Sequence, residues 1–234
     1  MHLLLIRHGE SENNGIYRTT NGDLSKLVPD PDLTTLGRRQ AEKLAAFFAA
    51  GKLPRPDVLY TSLMRRAVAT SLSICETLKM SAIGQLDLHE VAVADDGPVG
   101  APAPSTGQPA SVLRTINPRL IVPDEATEDG WYRGSFETPA TAWDRAQRFT
   151  SWLLDTYHGR DNCVALVGHG WFHQLILRVL VLHPPRPDGT LQSWFRMYNT
   201  ATISLVLPGH FDQELADVLW MNRFDHLEPD ELTV

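Results

Sequence analysis

The sequence predicts an α/β fold with a largely parallel sheet, and three observations carry the prediction. Strand-like apolar runs alternate with stretches of helical periodicity, the order expected when strands are joined by helical crossovers. Two of those runs, Leu3-Leu4-Leu5-Ile6 and Val164-Ala165-Leu166-Val167, lead directly into Arg7-His8-Gly9 and Gly168-His169-Gly170. The 234 residues suffice to bury a real core, and the length favours one domain over 1–234 with an inserted segment at 91–135.

Leu3 to Ile6 is the first strand, and its end places an imidazole beside a guanidinium. From Leu36 to Phe48 the apolar residues Ala41, Leu44, Ala45 and Phe48 recur at helical spacing, with Thr34 or Thr35 as N-cap. Asp57 to Tyr60 reads as the second strand. A helix is then expected from Thr61-Ser62, carrying Arg65, Arg66, Ala67 and Thr70, so that a basic pair lies near a helix N-terminus. Cys163 to Val167 is the third clear strand, Trp171 to Leu182 the helix that follows it, and Thr200 to Leu207 a β-branched strand. Val218 to Met221 adds a short edge strand, and the acidic tail from Asp225 to Val234 is expected to fray. Between Val91 and Ser135, Pro98, Pro102, Pro104, Pro109, Pro118 and Pro123 break up any periodicity. That stretch reads as an inserted lid or binding segment and not as a core element, although Trp131, Tyr132 and the following Phe136 imply that part of it packs.

A formal charge of −7 argues against a general nucleic-acid or membrane-surface binder, since either needs a basic face; any anion site must be local. Cys75 and Cys163 lie in apolar stretches and read as small core residues, not as a disulfide or a zinc site. The run from Met1 to Ile6 is too short for the hydrophobic region of a signal peptide, and no longer run suggests a membrane span, so a reducing cytoplasm is expected.

Four blocks in order carry a family resemblance: Arg7-His8-Gly9-Glu10-Ser11 with Asn14, Leu33 to Ala41, Tyr60 to Ala67, and Val167-Gly168-His169-Gly170 with Asn199-Thr200-Ala201 beyond it. The chain resembles the histidine phosphatase superfamily, the phosphoglycerate-mutase-like proteins. The resemblance covers both ends of the chain but not the insertion. It implies a three-layer sandwich, with the mostly parallel central sheet flanked by helices and the 91–135 segment as a cap.

It also implies a phosphomonoesterase that hydrolyses a small phosphorylated metabolite through a phosphohistidine, with neither metal nor organic cofactor. A neutral imidazole is a good nucleophile near pH 7, which suits His8 to the covalent step, with Gly9 allowing a tight turn beneath it. Arg7 and Arg66 would clamp the phosphoryl oxygens with planar, permanently charged forks. The family spacing puts the inward arginine directly before alanine, which selects Arg66 and leaves Arg65 on a solvated face. Asn14 could donate an amide hydrogen to the phosphate, while Asn13 beside it suits a turn. His169 would complete the ring of donors by stabilising developing charge. His169 and His173 are four apart but lack the glutamate of a zinc-hydrolase helix, so a metal is not expected and His173 reads as a packing or pocket residue. The general acid is open between Glu90, in Leu88-His89-Glu90-Val91, and Glu137, whose other role is charge at a helix start. His2, His89, His158, His183, His210 and His226 default to surface or satisfied polar roles.

The alternatives are a cofactor-dependent phosphoglycerate mutase and a non-catalytic phospholigand-binding protein of the same fold. Trp171-Phe172-His173 and the missing asparagine-isoleucine-proline motif near Asn199 speak against the mutase. Trp131, Tyr132, Trp171, Phe172, Trp194 and Tyr198 could rim an organic leaving group, but core packing is the first expectation. The expected partner is a small phosphorylated substrate, with no nucleic acid and no membrane. Oligomeric state is open, a homodimer being one option.

Overall fold

The computed structural model describes residues 1–91, 106–132, 136–157, 159–182, 184–186, 190–191, 193–208 and 216–234. Its single sheet of seven strands runs β4-β3-β2-β5-β1-β6-β7. The strands are β1 (His2–Arg7), β2 (Val58–Thr61), β3 (Ala82–Gly84), β4 (Leu120–Ile121), β5 (Cys163–Gly168), β6 (Thr202–Val206) and β7 (Asp217–Arg223). The first five in chain order are mutually parallel, while β6 pairs antiparallel with β1, and β7 with β6. Leu3, Leu4, Leu5 and Ile6 have no exposed surface because β1 is covered on both faces, which is why it is apolar at every position. Leu3 and Leu5 join one core with α5 (Pro139–Tyr157) and α6 (Gly170–Leu180), whereas Leu4 and Ile6 join another with α2 (Thr35–Ala49), α3 (Arg65–Leu78) and α4 (Ala110–Ile116). Helices therefore cover both faces, giving the expected three layers. The short α1 (Glu12–Thr19) lies in the loop after β1.

Several boundaries differ from expectation for local reasons. Thr34 is the N-cap of α2, its hydroxyl accepting from Gly37 N. The helix expected from Thr61-Ser62 starts only at Arg65, because Thr61 still pairs with Val167 in the sheet and Ser62 Oγ accepts from Met64 N in a tight turn. β7 is a full seven-residue edge strand, longer than expected. β3 and β4, of three and two residues, are too short to show a periodicity.

Two expectations are corrected. The second half of the 91–135 segment is part of the core: α4 packs against α3, β4 extends the sheet, and Leu113, Leu120, Ala126 and Trp131 are buried. Residues 92–105 and 133–135 of that segment lie outside the described residues, as do His158, His183 and His210. The tail does not fray. Glu231 pairs with Arg39 at 3.0 Å and Lys43 at 2.7 Å, Gln40 Nε2 donates to Glu231 O and Thr233 Oγ1, and Thr233 bonds Asn199 through both its carbonyl and its hydroxyl. Acidic composition marks solvation only where basic partners are absent, and α2 supplies them here.

Candidate active site

The register of the central strands assembles the site. Arg7 on β1 lies beside Gly168 on β5, and Thr61 on β2 lies beside Val167. The next residues in each chain, His8, His169 and Ser62, thus emerge together at the carboxyl ends of three adjacent parallel strands, where α/β sheets bind ligands. The His8 and His169 rings lie 5.1 Å apart, centroid to centroid.

His8 is held from every side. Its backbone N–H donates to Gly168 O, its carbonyl accepts from Asn199 Nδ2 and Thr200 N, and Gly9 N donates to Thr70 Oγ1. Its Nδ1 lies 2.7 Å from Gly9 O, and Arg66 Nε donates to its Nε2 at 3.2 Å. Both contacts require the tautomer with the proton on Nδ1, which leaves the Nε2 lone pair facing the arginine. Burial, then the neighbouring Arg66 and Arg7 charges, hold the His8 pKa well below its ordinary 6.5, so the ring is neutral. Gly9 is required for a reason other than a turn: a Cβ there would collide with the carbonyl of Gly37, where α2 packs against the loop. That is a correction, since Gly9 does not have positive φ.

The arginines divide as expected, with one refinement. Arg66 is buried and reaches His8, whereas Arg65 turns away to pair with Asp32 at 2.8 Å instead of standing free in solvent. Asp30, with φ +44 between two prolines, accepts from Arg65 N at 3.0 Å and acts more strongly than Glu90 as an opposing charge on Arg66. Burial raises its pKa. Arg7 Nη1 donates to Met197 O at 2.5 Å, and burial brings its pKa down to about 10. Arg7 Nε and His169 Nδ1 are buried with no hydrogen-bond partner among the described residues. An orphaned buried donor costs about 1–3 kcal/mol. An anion placed beside His8 would relieve both.

His169 is fixed by Ser62, whose Oγ lies 2.9 Å from its Nε2. Sequence reasoning missed Ser62, although it lies in the Tyr60 to Ala67 block; a serine at a strand end has many possible roles, and only the register brings it to His169. Burial, followed by Arg66 and His8, holds the His169 pKa well below 6.5. His169 is also the N-cap of α6 but makes no side-chain cap bond. Glu90 caps the helix instead, its carboxylate accepting from Trp171 N at 3.3 Å, Phe172 N at 3.0 Å and Val91 N at 2.9 Å. Glu90 thereby lies in the wall of a cavity that Arg7 also lines.

Glu137 is committed elsewhere. Both its oxygens bind Arg145 at 2.7 Å, and Arg145 in turn donates to the Asp87 and His89 carbonyls and stacks over Phe172 at 4.0 Å. This buried pair anchors the segment that delivers Glu90. Asn14 closes the capping box of α1 with Ser11, and its Nδ2 donates one hydrogen to Val234 O, leaving one unassigned. His173 packs fully buried behind Gly168, its pKa pushed down to about 3 by burial and Arg7. His2, His89 and His226 bond Ser204 Oγ, Glu90 O and Thr200 Oγ1 respectively. Cys75 and Cys163 are both free. Of the aromatics, Trp131 and Phe172 are core residues as expected, but Trp171 and Trp194 are exposed beside the cavity. No helix among the described residues is long and apolar enough to cross a membrane.

Comparison with known proteins gives a consistent picture. A family model for the histidine phosphatase superfamily (branch 1) matches residues 3–213. Phosphoserine phosphatase 1 from Hydrogenobacter thermophilus is 34% identical over 89 residues, 38% of this chain and 38% of that protein. A 2,3-bisphosphoglycerate-dependent phosphoglycerate mutase from Mycobacterium leprae is 42% identical over 69 residues, 30% of this chain and 25% of its own length. These matches span well under half of each relative. Phosphoserine phosphatase from Entamoeba histolytica, solved with 3-phosphoglyceric acid, superposes with a TM-score of 0.61 at 20% identity, over 97% of this chain and 99% of that one. Mycobacterial glucosyl-3-phosphoglycerate phosphatase, solved with inorganic phosphate, gives 0.61 at 18% identity, over 97% and 99%. At these identities the structural likeness is one of fold.

Proposed function

Since the chain belongs to the histidine phosphatase superfamily (branch 1), we propose that it hydrolyses a small phosphorylated metabolite through a phosphohistidine on His8. The observation that carries this reading is the state of His8: neutral, with Nδ1 bonded to Gly9 O and the Nε2 lone pair turned toward Arg66, 5.1 Å from a second histidine ring. Nε2 attacks phosphorus as the phosphorus–oxygen ester bond breaks, and Glu90 gives a proton to the departing oxygen. Arg66 gives up its bond to Nε2 and transfers it to a phosphoryl oxygen, which Arg7 also binds. His169, its proton on Nδ1 when Ser62 donates to Nε2, supplies a further neutral donor where charge builds up. Water then attacks the phosphohistidine, the Glu90 carboxylate taking its proton, and the nitrogen–phosphorus bond breaks to release inorganic phosphate. The remaining amide hydrogen of Asn14 is available to the same phosphate. This scheme needs no metal or organic cofactor.

The phosphoglycerate mutase alternative uses the same ring and differs in returning the phosphoryl group to a second substrate; release of phosphate without isomerisation of 3-phosphoglycerate separates the two. The one continuous sheet supports a single domain over 1–234, with β4 of the 91–135 segment paired into it. The two free cysteines agree with a cytoplasmic location. The test is rapid acid and base quench with a labelled monoester. An acid-labile, base-stable adduct on wild type and none on His8→Ala is the expected result, and an adduct that survives in His8→Ala would overturn the assignment.

A further inference from the structure

A cavity of about 200 Å³ opens beside Arg7 and Glu90, walled by Trp171, Gln174, Trp194 and Phe195 among others. Trp171 and Trp194 meet edge to face at 6.0 Å and 86°, yet remain 42% and 55% exposed. Large aromatic surfaces left open beside a reactive centre are costly unless something covers them.

The wall is stiff. Arg178 donates to Ser193 O, Gln174 Nε2 to Phe195 O at 2.6 Å, and Arg7 Nη1 to Met197 O at 2.5 Å. Phe195 N returns a bond to Gln174 Oε1 at 3.1 Å. Carbonyls two residues apart are thus tied to α6 and to β1, and Trp194 is carried between two of these ties. Gln174 and Arg178 are themselves buried, so the anchors do not drift. A preset aromatic wall binds a flat group without first ordering itself. Arg7 belongs to both systems: its Nη1 holds the Met197 carbonyl, while its Nε has no hydrogen-bond partner among the described residues.

The charge pattern narrows the ligand further. Among the described lining residues Arg7 is the sole cationic side chain and Glu90 the sole acidic one. Arg7 is committed to the phosphoryl group, so no second cation remains among the described lining residues for a substrate carboxylate. Size agrees: an apolar cavity of about 150 Å³ admits benzene, so this one has room for a single ring on a short stem.

We propose, resting on the phosphomonoesterase reading above, that the leaving group is an uncharged alcohol bearing one planar ring, stacked on Trp194 and edge-on to Trp171. The ring lies over the Trp194 indole while its oxygen faces Glu90. Carboxylate-bearing monoesters such as phosphoserine are the poorer substrates for this wall.

Benzyl phosphate and propyl phosphate test this, because both release alkoxides of similar basicity and differ in the ring. Benzyl phosphate should exceed propyl phosphate and phosphoserine by about tenfold or more in kcat/KM, mainly through KM. Trp194→Ala should bring the benzyl-to-propyl ratio near one, and Trp194→Phe should keep most of it. Equal kcat/KM for the two esters in wild type, or a preference for phosphoserine, overturns the proposal. If no monoester turns over, the phosphatase reading has failed and binding decides: benzylphosphonate should quench tryptophan fluorescence in wild type but not in Trp194→Ala, and the absence of that difference overturns the aromatic wall by itself.

Discussion

The ends of β1 and β5 carry almost the same short motif, a histidine then a glycine after an apolar strand, and the fold treats them differently. At the β1 end, His8 bonds its own loop through Nδ1 and meets an arginine at Nε2. At the β5 end, His169 bonds a serine hydroxyl through Nε2 and leaves Nδ1 unpartnered among the described residues. The first arrangement turns the His8 Nε2 lone pair to Arg66, and the second makes His169 Nδ1 a donor when Ser62 donates to Nε2. The two rings, both buried, neutral and preceded by similar strands, are thus bonded differently, which suits the proposed attack by His8 and the proposed charge stabilisation by His169. Roles at this site follow from the groups bonded to the far side of each ring.

The sharpest way to break that contrast is to remove each ring. His8→Ala should reduce turnover to background, whereas His169→Ala should lose about 10²–10³-fold, the usual cost of one preorganised donor. Steady-state assays on both variants decide the matter. Equal residual rates would mean the two rings are interchangeable.

The arginines come next. Arg66→Ala removes a buried, charge-assisted contact from the β1 end, with an expected loss on the order of 3 kcal/mol in kcat/KM. Arg65→Ala removes only the partly exposed pair with Asp32 and should cost about 0.5 kcal/mol of stability with kcat within about twofold. The reverse order would show the register of α3 to be misread.

Glu90 belongs to the β5 end, because it caps α6 directly after His169. An acid matters most when the leaving alkoxide is poor, so Glu90→Gln should slow alkyl phosphates about tenfold or more beyond its effect on nitrophenyl phosphate. Glu137→Gln breaks the buried pair with Arg145 instead, and should destabilise the protein by about 3 kcal/mol without such selectivity. Selectivity appearing in the Glu137 variant would transfer the acid to that residue.

A last effect concerns stability, not turnover. Burial lowers the folded-state pKa of His173 to about 3 and of His226 to about 4, against an ordinary 6.5. As pH falls below 6.5, the unfolded chain takes up protons that the folded protein refuses. Stability present above pH 6.5 is then lost progressively toward pH 4, by up to ~1.4 kcal/mol per pH unit for each such ring. Urea midpoints measured from pH 7 to 4 should decline over that window, and a flat profile would mean that the rings open to solvent before the global transition.

Much of this is legible in one dimension. The apolar runs at Leu3 to Ile6 and Val164 to Val167 are long enough to declare strands, and the four spaced blocks point to His8, Arg7, Arg66 and His169 before any coordinates are known. Glu90 stays ambiguous in the sequence because it caps a helix 80 residues away, which no local pattern encodes. The tail from Asp225 misleads for a related reason: the partners of Glu231 lie on α2. The second half of the 91–135 segment looks like a loop because a two-residue strand and a seven-residue helix are below the length at which periodicity shows.

The sequence by itself thus determined the α/β class and the central strands and named the candidate residues for phosphate, since strand burial and residue chemistry are local properties. Only the tertiary structure decided which histidine nitrogen is free, which glutamate lines the cavity and which tryptophans stand open beside it. Those outcomes depend on strand register and on hydrogen bonds between residues far apart in the chain. They are fixed when β1, β2 and β5 align and α6 docks behind them.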